Sequence, residues 1–433
     1  MAVLDSGVRP HADLAPNLLA GYDFTSSSTS SNDGDGRDSS ALDPGNYAQA
    51  GVCGTDAPAF MSSWHGTHVS GIVGAVGNNS QGVSGVAPST KVLPVHVSGR
   101  CGFGTSTDLV DGVLWAAGVK VTGVPVNPTP VRVINISRGG YYACTQTEQA
   151  AITKVTDMGV MVVAAAGNDN LDAGAVSPAN CKGVFVVGAS NSMGNRSGYS
   201  NFGTTVDISA PGGDNNGAVL SAFNSGTGGP VDDSFAGRIG TSMAALQVAG
   251  VAALMAAANT ALPKGAAGTL MKETATPFTT SCTGCGSGIV NAEKAVLAAR
   301  VYRREVEPNN TPTTAQLIAV PVVDIWGYLE GGVGTEDEDH YMVTLPPRIA
   351  LKVQLINKGV TFKMAFSGQN AAGQVLLPST TVNSGTTSTS TRYNTNFDTS
   401  EVLLLKVRRA AGQSTSIFEQ FYRLKVSREA LPF

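Results

Sequence analysis

Short apolar runs alternate with longer stretches of helical period through the first three hundred residues. The runs Ala2–Leu4, Lys91–Val97, Val131–Ile136, Val160–Ala165, Val184–Val187 and Val206–Ile208 are rich in valine and isoleucine and predict strands. Helical patterns lie between and beyond them, near 65–76, 106–118, 146–158, 242–258, 265–274 and 291–299. Near-continuous apolar strands separated by helices predict an α/β fold, a doubly wound, mainly parallel sheet with helices on both faces. Ligands of such sheets bind beyond the carboxyl ends of the strands. Three polar signals stand at such ends: Asp5 after Leu4, Ser137 after Ile136, and Gly167-Asn168 after Ala166. Their loops are expected to converge on one crevice.

The alternation stops near residue 303. Arg303–Asn310 is polar, contains a proline and reads as a linker between a domain at 1–302 and a second at 311–433. In the second, Ile325–Leu329, His340–Leu345, Ala350–Ile356 and Glu401–Val407 predict strands separated by Gly/Ser/Thr/Asn-rich turns, the pattern of a small all-β sandwich.

Composition sharpens this division. The chain of 433 residues is poor in charge (14%, against roughly 25% in an average domain) and rich in glycine, with 52 residues. Charge is uneven: 35 of residues 1–302 are charged but 25 of the last 131, which places the second domain in a different compositional class. A net charge of −4 without a Lys/Arg cluster argues against nucleic acid or an anionic membrane as a partner. No run approaches 18 uninterrupted apolar residues, which argues against a transmembrane helix. Six cysteines, Cys53, Cys101, Cys144, Cys181, Cys282 and Cys285, all precede the boundary. An even count suits three disulfides in an oxidising compartment, sequential pairing being the simplest of 15 connectivities. Only Cys282-Thr283-Gly284-Cys285 has metal-like spacing, and no second such motif accompanies it. Met1-Ala2-Val3-Leu4 leads directly into an acidic residue, so no signal peptide is read and a targeting segment is expected to have been removed.

Each candidate for chemistry is weak alone. Val3-Leu4-Asp5-Ser6-Gly7 ends a strand in a carboxylate that could merely cap a turn. His65-Gly66-Thr67-His68 puts histidines at a helix start, where a capping or core role is common. Gly240-Thr241-Ser242-Met243-Ala244 places a serine at the head of an alanine-rich helix, where free N–H groups favour developing negative charge but where serine also caps. Together they supply what nucleophilic catalysis needs: a hydroxyl, a base, and a carboxylate to orient the base.

In the order Asp, His, Ser, these motifs resemble those of the subtilisin-like serine proteases. Ala164–Asn168 adds to the likeness, which covers about residues 1–300. The resemblance implies that Asp5 orients His65, that His65 is general base and then acid, and that Ser242 is the nucleophile. Asn168 would donate its amide to the oxyanion beside the Ser242 backbone N–H. The substrate would pair as an added strand with Gly102-Phe103-Gly104 and Ser137-Arg138-Gly139, with Ala166 and Gly167 beside it. Arg138 replaces a usually apolar residue and either favours acidic substrate residues or lines the rim. His68 is read as structural.

The resemblance also implies calcium. Asn78–Val83, followed by Gly85-Val86-Ala87-Pro88, resembles the family's calcium loop, with Asp13, Asn79, Gln81 and Val83 as ligands. Asp33, Asp35 and Asp38 alternate on a glycine-rich loop and form a second candidate for a hard cation. Glu307-Pro308-Asn309-Asn310 and Asp337–Tyr341 resemble the pre-peptidase-type β-sandwich appended to secreted proteases.

Two departures from the family are visible. Family members carry about two dozen residues ahead of the Asp strand, whereas four precede Asp5 here, which reads as a shortened chain. Leu246-Gln247 stand where Pro-His is usual, so that the helix behind Ser242 would run straighter and glutamine would be a flexible substitute. The expectation is a secreted, monomeric, calcium-stabilised serine endopeptidase acting on proteins or peptides. The rivals are a weakened or inactive binding protein on the same fold and an esterase, the latter disfavoured because Ser242 lacks the G-x-S-x-G elbow.

Overall fold

The strands expected from the apolar runs assemble into one seven-stranded parallel sheet in the computed structural model. In chain order the strands of the N-terminal part are β1 (Ala2–Asp5), β2 (Tyr22–Asp23), β3 (Leu93–His96), β4 (Val133–Ile136), β5 (Gly140–Tyr141), β6 (Met161–Ala165), β7 (Val176–Ser177), β8 (Val184–Ser190), β9 (Ile208–Pro211), β10 (Val219–Asn224) and β11 (Asp233–Arg238). The sheet runs β2-β3-β1-β4-β6-β8-β9, while β5 pairs with β7 and β10 with β11 as two small antiparallel ladders. The structure describes residues 1–263, 265–304, 309–318, 322–329, 338–357, 364–383, 385–394, 398–409 and 420–430.

Helices cover the sheet: α1 (Ser28–Ser31), α2 (His65–Gly74), α3 (Ser106–Ala116), α4 (Gln146–Asp157), α5 (Thr241–Ala258), α6 (Ala266–Thr274) and α7 (Ala292–Val301). Every residue of β1, β3 and β4 is buried, as a strand covered on both faces requires. One core gathers Leu4, Val95, Ile134, Val162 and Val186 with Trp115 of α3 and Ile152 of α4. A second, smaller one joins Val3 to Val69 and Val73 of α2 and Met243 and Leu246 of α5. By length and hydropathy α5 alone among the described helices would suffice to cross a membrane, yet two thirds of it is buried as a core helix.

The sheet order matters for function. The chain passes from β1 to the edge strand β2, returns to β3 beside β1, then crosses to β4 on the other side of β1 and moves outward through β6, β8 and β9. The reversal falls between β1 and β4, and ligands of open α/β sheets bind at such a switch point. Asp5 and Ser137 stand at the carboxyl ends of those two strands.

The chain divides into compact units at Met1–Leu297 and Ala298–Phe433, a few residues ahead of the expected boundary. Arg303 and Arg304, read as the start of a linker, belong to strand β12 (Tyr302–Arg304). The second unit holds two five-stranded sheets whose apolar faces meet through Tyr341, Leu351, Phe366, Leu403 and Leu424. The four strands read from the sequence are all present there. Glu305–Pro308 and Asp337 lie outside the described residues.

Candidate active site

Asp5 ends β1 with its side chain 1% exposed. Its Oδ1 accepts the Ser6 N–H at 2.8 Å, and both carboxylate oxygens lie 2.8 Å from His65 Nδ1. An ionised carboxylate can only accept, so His65 carries its proton on Nδ1 and leaves Nε2 free as a base. Close approach of α2 to the β1 turn makes this contact: the Gly66 N–H donates to Ser6 Oγ at 3.0 Å. A Cβ on Gly66 would stand 1.9 Å from the Gly7 carbonyl oxygen, so only glycine allows the helix to start there. Trp64, the fully buried residue before His65, takes left-handed dihedrals (φ 45°, ψ 36°) and donates its indole N–H to the Gly226 carbonyl at 2.6 Å. A bulky residue held in that region marks a conformation that the surroundings impose.

Ser242 is the second residue of α5, where backbone N–H groups lack helical acceptors. Its Oγ donates to the Ser137 carbonyl oxygen at 3.3 Å rather than to the His65 ring. Such catalytic contacts are often loose in the free enzyme. Asn168 Oδ1 accepts both the Thr241 N–H and the Thr241 hydroxyl, each at 2.9 Å. With its oxygen so held, the Asn168 amide keeps Nδ2 as its donor.

One cleft of about 500 Å³ is lined by His65, Ser242, Asn168, Gly167, Gly102–Gly104 and Ser137–Gly139, which are the residues expected at the catalytic and substrate positions. Ala166 is fully buried behind it, and its carbonyl is tied by Asn201 Nδ2 at 2.9 Å. Arg138 lines this cleft, and its Nη2 donates to Asp5 Oδ1 at 3.1 Å. His68 is structural, fully buried with Nε2 on the Ala236 carbonyl at 2.9 Å, and burial pushes its ring down to about 4.

Sequence reasoning missed Thr241, although it stands inside the quoted motif, and it missed Tyr141 and Asp169 on the cleft wall. Tyr141 Oη donates to Asp169 Oδ2 at 2.5 Å. It also missed β10–β11, whose Asp233–Arg238 strand feeds directly into the serine helix.

At the two positions that depart from the family pattern, both side chains are engaged. Leu246 is fully buried in the smaller core, and Gln247 Nε2 donates to the Pro211 carbonyl at 2.8 Å, so neither position is slack.

The cysteines pair sequentially, as Cys53–Cys101, Cys144–Cys181 and Cys282–Cys285. The Cys282–Cys285 spacing is therefore a disulfide. The metal residues divide. Asp13 is fully buried, and its carboxylate accepts from Asn79 Nδ2 (2.6 Å) and the Val83 N–H (2.9 Å), with Gln81 in the same loop. Asp33 and Asp38 both lie beside Asp35, whose carboxyl is raised by desolvation and then by these two neighbours. Asp33 also groups with Asp23 and His96, and Asp38 caps the Ser40 N–H at 2.7 Å.

A doubly wound α/β sheet with an Asp–His pair, a helix-start serine and an asparagine around one cleft is the arrangement of the subtilisin class of folds. A model of the subtilase family matches residues 1–300, and the chain belongs to that family. It is 50% identical over 350 residues to an extracellular protease of Xanthomonas campestris pv. campestris, and 41% identical over 317 residues to an extracellular basic protease of Dichelobacter nodosus. These alignments cover 80% and 71% of this chain, and the chain spans 58% and 52% of the length of those relatives. A solved structure of proteases from Pseudoalteromonas arctica superposes with a TM-score of 0.67 at 49% identity, covering 69% of this chain and 89% of that one.

Proposed function

We propose that the chain is a secreted serine endopeptidase that hydrolyses peptide bonds through an acyl-enzyme. The observation that carries this reading is the His65 ring locked to Asp5 in the cleft that Ser242 and Asn168 also line. Ser242 Oγ, after turning from the Ser137 carbonyl, attacks the substrate carbonyl while His65 Nε2 takes its proton. Asp5 stabilises the imidazolium through Nδ1–H, and Asn168 Nδ2 and the Ser242 N–H receive the oxyanion. His65 then protonates the leaving amine. Water, deprotonated by His65, hydrolyses the ester and restores Ser242. An added substrate strand between Gly102–Gly104 and Ser137–Gly139 would hold the bond in place. Secretion rests on three disulfides, which suit an oxidising compartment, and on the extracellular proteases the chain resembles.

Structural calcium at Asp13, Asn79, Gln81 and Val83 belongs to the same reading. Asp13 is a buried carboxylate with amide donors but no cationic partner among the described residues, and burying a charge unpaired is costly. Turning the Asn79 amide over would place its oxygen beside that carboxylate, giving the oxygen set a hard cation prefers.

The test is labelling with a fluorophosphonate. Stoichiometric labelling of the chain, lost in Ser242→Ala with the fold intact by circular dichroism, is expected. Unlabelled protein that is correctly folded would sink the reading in favour of a non-catalytic binding protein.

A further inference from the structure

We propose that Arg138 is a positioning residue for the reaction above, its fixed positive charge on Asp5 keeping His65 neutral, and so able to act as base, at lower pH than Asp5 alone would allow. The inference rests on the hydrolase reading of the cleft.

Arg138 belongs to one flank of the cleft, yet its side chain leaves that flank. Nη2 donates to Asp5 Oδ1 at 3.1 Å, and Nη1 lies 3.2 Å from where a Cβ on Gly102 would stand. Gly102, at φ +75° on the opposite flank, thus leaves room for the guanidinium to pass. Asp5 is the one carboxylate it pairs with among the described residues. The pair is three-quarters shielded on the arginine side and wholly shielded on the aspartate side, so solvent screens it weakly.

The charge next to Asp5 has a direct consequence for proton transfer. When His65 takes a proton, from Ser242 or from water, its new positive charge shares Asp5 with one already present. Like charge opposes that protonation, and an opposite charge alone would favour it. Burial works to raise the Asp5 carboxyl, but Arg138 first and His65 second overcome it and hold the group well below the usual carboxylate range.

The other charges nearby do not supply the same effect. Asp43 is buried and bound through Ser6 Oγ (2.8 Å), with Arg9 Nη1 on its backbone carbonyl rather than its carboxylate. His96 of β3, the residue beside Asp5, pairs with Asp23 of β2 at 2.8 Å. His68, one turn along α2, is neutral at working pH because burial lowers it to about 4. Arg238, on the strand leading to α5, stacks on Phe223. Arg138 is the cation in contact with the Asp5–His65 pair.

The experiment compares kcat/KM against pH for the full chain, Arg138→Met, Arg138→Gln and Arg138→Lys, on a peptide substrate without charged side chains. Active-site titration with a fluorophosphonate accompanies each. The acid limb of Met and Gln variants is expected about half to one pH unit above that of the parent, with Lys close to the parent. The gap should narrow as salt is raised from about 0.05 M to about 0.5 M, because screening shortens the reach of the charge. Coincident limbs in titrated parent, Met and Gln enzymes would overturn the proposal. So would Lys moving with Met, since geometry rather than charge would then govern. An effect confined to KM for acidic peptides would assign Arg138 to substrate charge instead. A parent chain that fails to titrate defeats the hydrolase reading, whereas titrated enzymes with coincident limbs defeat only the role of Arg138.

Discussion

Asn168 shows how much of a catalytic group's value lies in its neighbour. Its oxygen is occupied twice by Thr241, so the amide cannot turn over without losing two hydrogen bonds. Asn168→Ala is expected to lower kcat by ~10²–10³-fold, a range established for such a donor in a subtilisin rather than obtained from this chain. Thr241→Val keeps the helix start but frees half of that grip. It should lower kcat about threefold to tenfold, for one neutral hydrogen bond of roughly 1 kcal/mol, with KM little changed. Steady-state kinetics on a single peptide separate the two, and a Thr241 effect confined to KM would make the hydroxyl a substrate contact. Asp5, His65, Ser242 and Asn168 were legible in the sequence because each stands in a short motif with a fixed partner type. Thr241 and the direction of Arg138 were not, because a motif names residues without saying which way a side chain turns.

At the scale of elements, α2 carries both the candidate base and a histidine that must stay neutral. His68 is clasped by the β10–β11 hairpin through the Ala236 carbonyl, and the hairpin also reaches the Asp13 segment, where Asp233 accepts the Ala12 N–H at 2.7 Å. The sequence concealed this hairpin because β11 alternates exposed and half-buried residues, without the apolar face that betrays a strand. The ring of His68 titrates near 4 in the folded chain against an ordinary 6.5, so the unfolded chain binds the extra proton between these values. Stability is therefore expected to be intact above pH 6.5 and to fall by on the order of 2–3 kcal/mol as pH drops to 4. His68→Gln, which keeps a donor for Ala236, should flatten that part of the profile. Urea midpoints across the window check this. Equal slopes in both proteins would mean that another group dominates acid sensitivity.

At the scale of the molecule, the fold class was legible because strands buried on both faces leave unbroken apolar runs, as Ala2–Leu4 of β1, Met161–Ala165 of β6 and Val184–Val187 of β8 do. The two-residue β2 left no such trace; of the edge strands, Val375–Val382 carries a proline and Thr387–Asn394 is mostly serine and threonine. Chelation with EDTA is expected to lower the unfolding temperature of the full chain, since a ligand held only by the folded state stabilises it. Asp13→Asn should melt at the same temperature with and without chelator; a parent chain indifferent to chelator would remove the Asp13 site. The position of β1 also bears on time. Its neighbours are Leu93–His96 on one side and Ile134–Ile136 on the other, so the strand ending in Asp5 cannot be completed until chain far downstream has arrived. Contacts of such separation make folding slow. Until those segments reach it, β1 has no sheet partner on either side. On the proposed function, a copy already folded would meet its unfinished siblings as extended polypeptide, a form an endopeptidase cuts, so refolding yield is expected to fall as concentration rises.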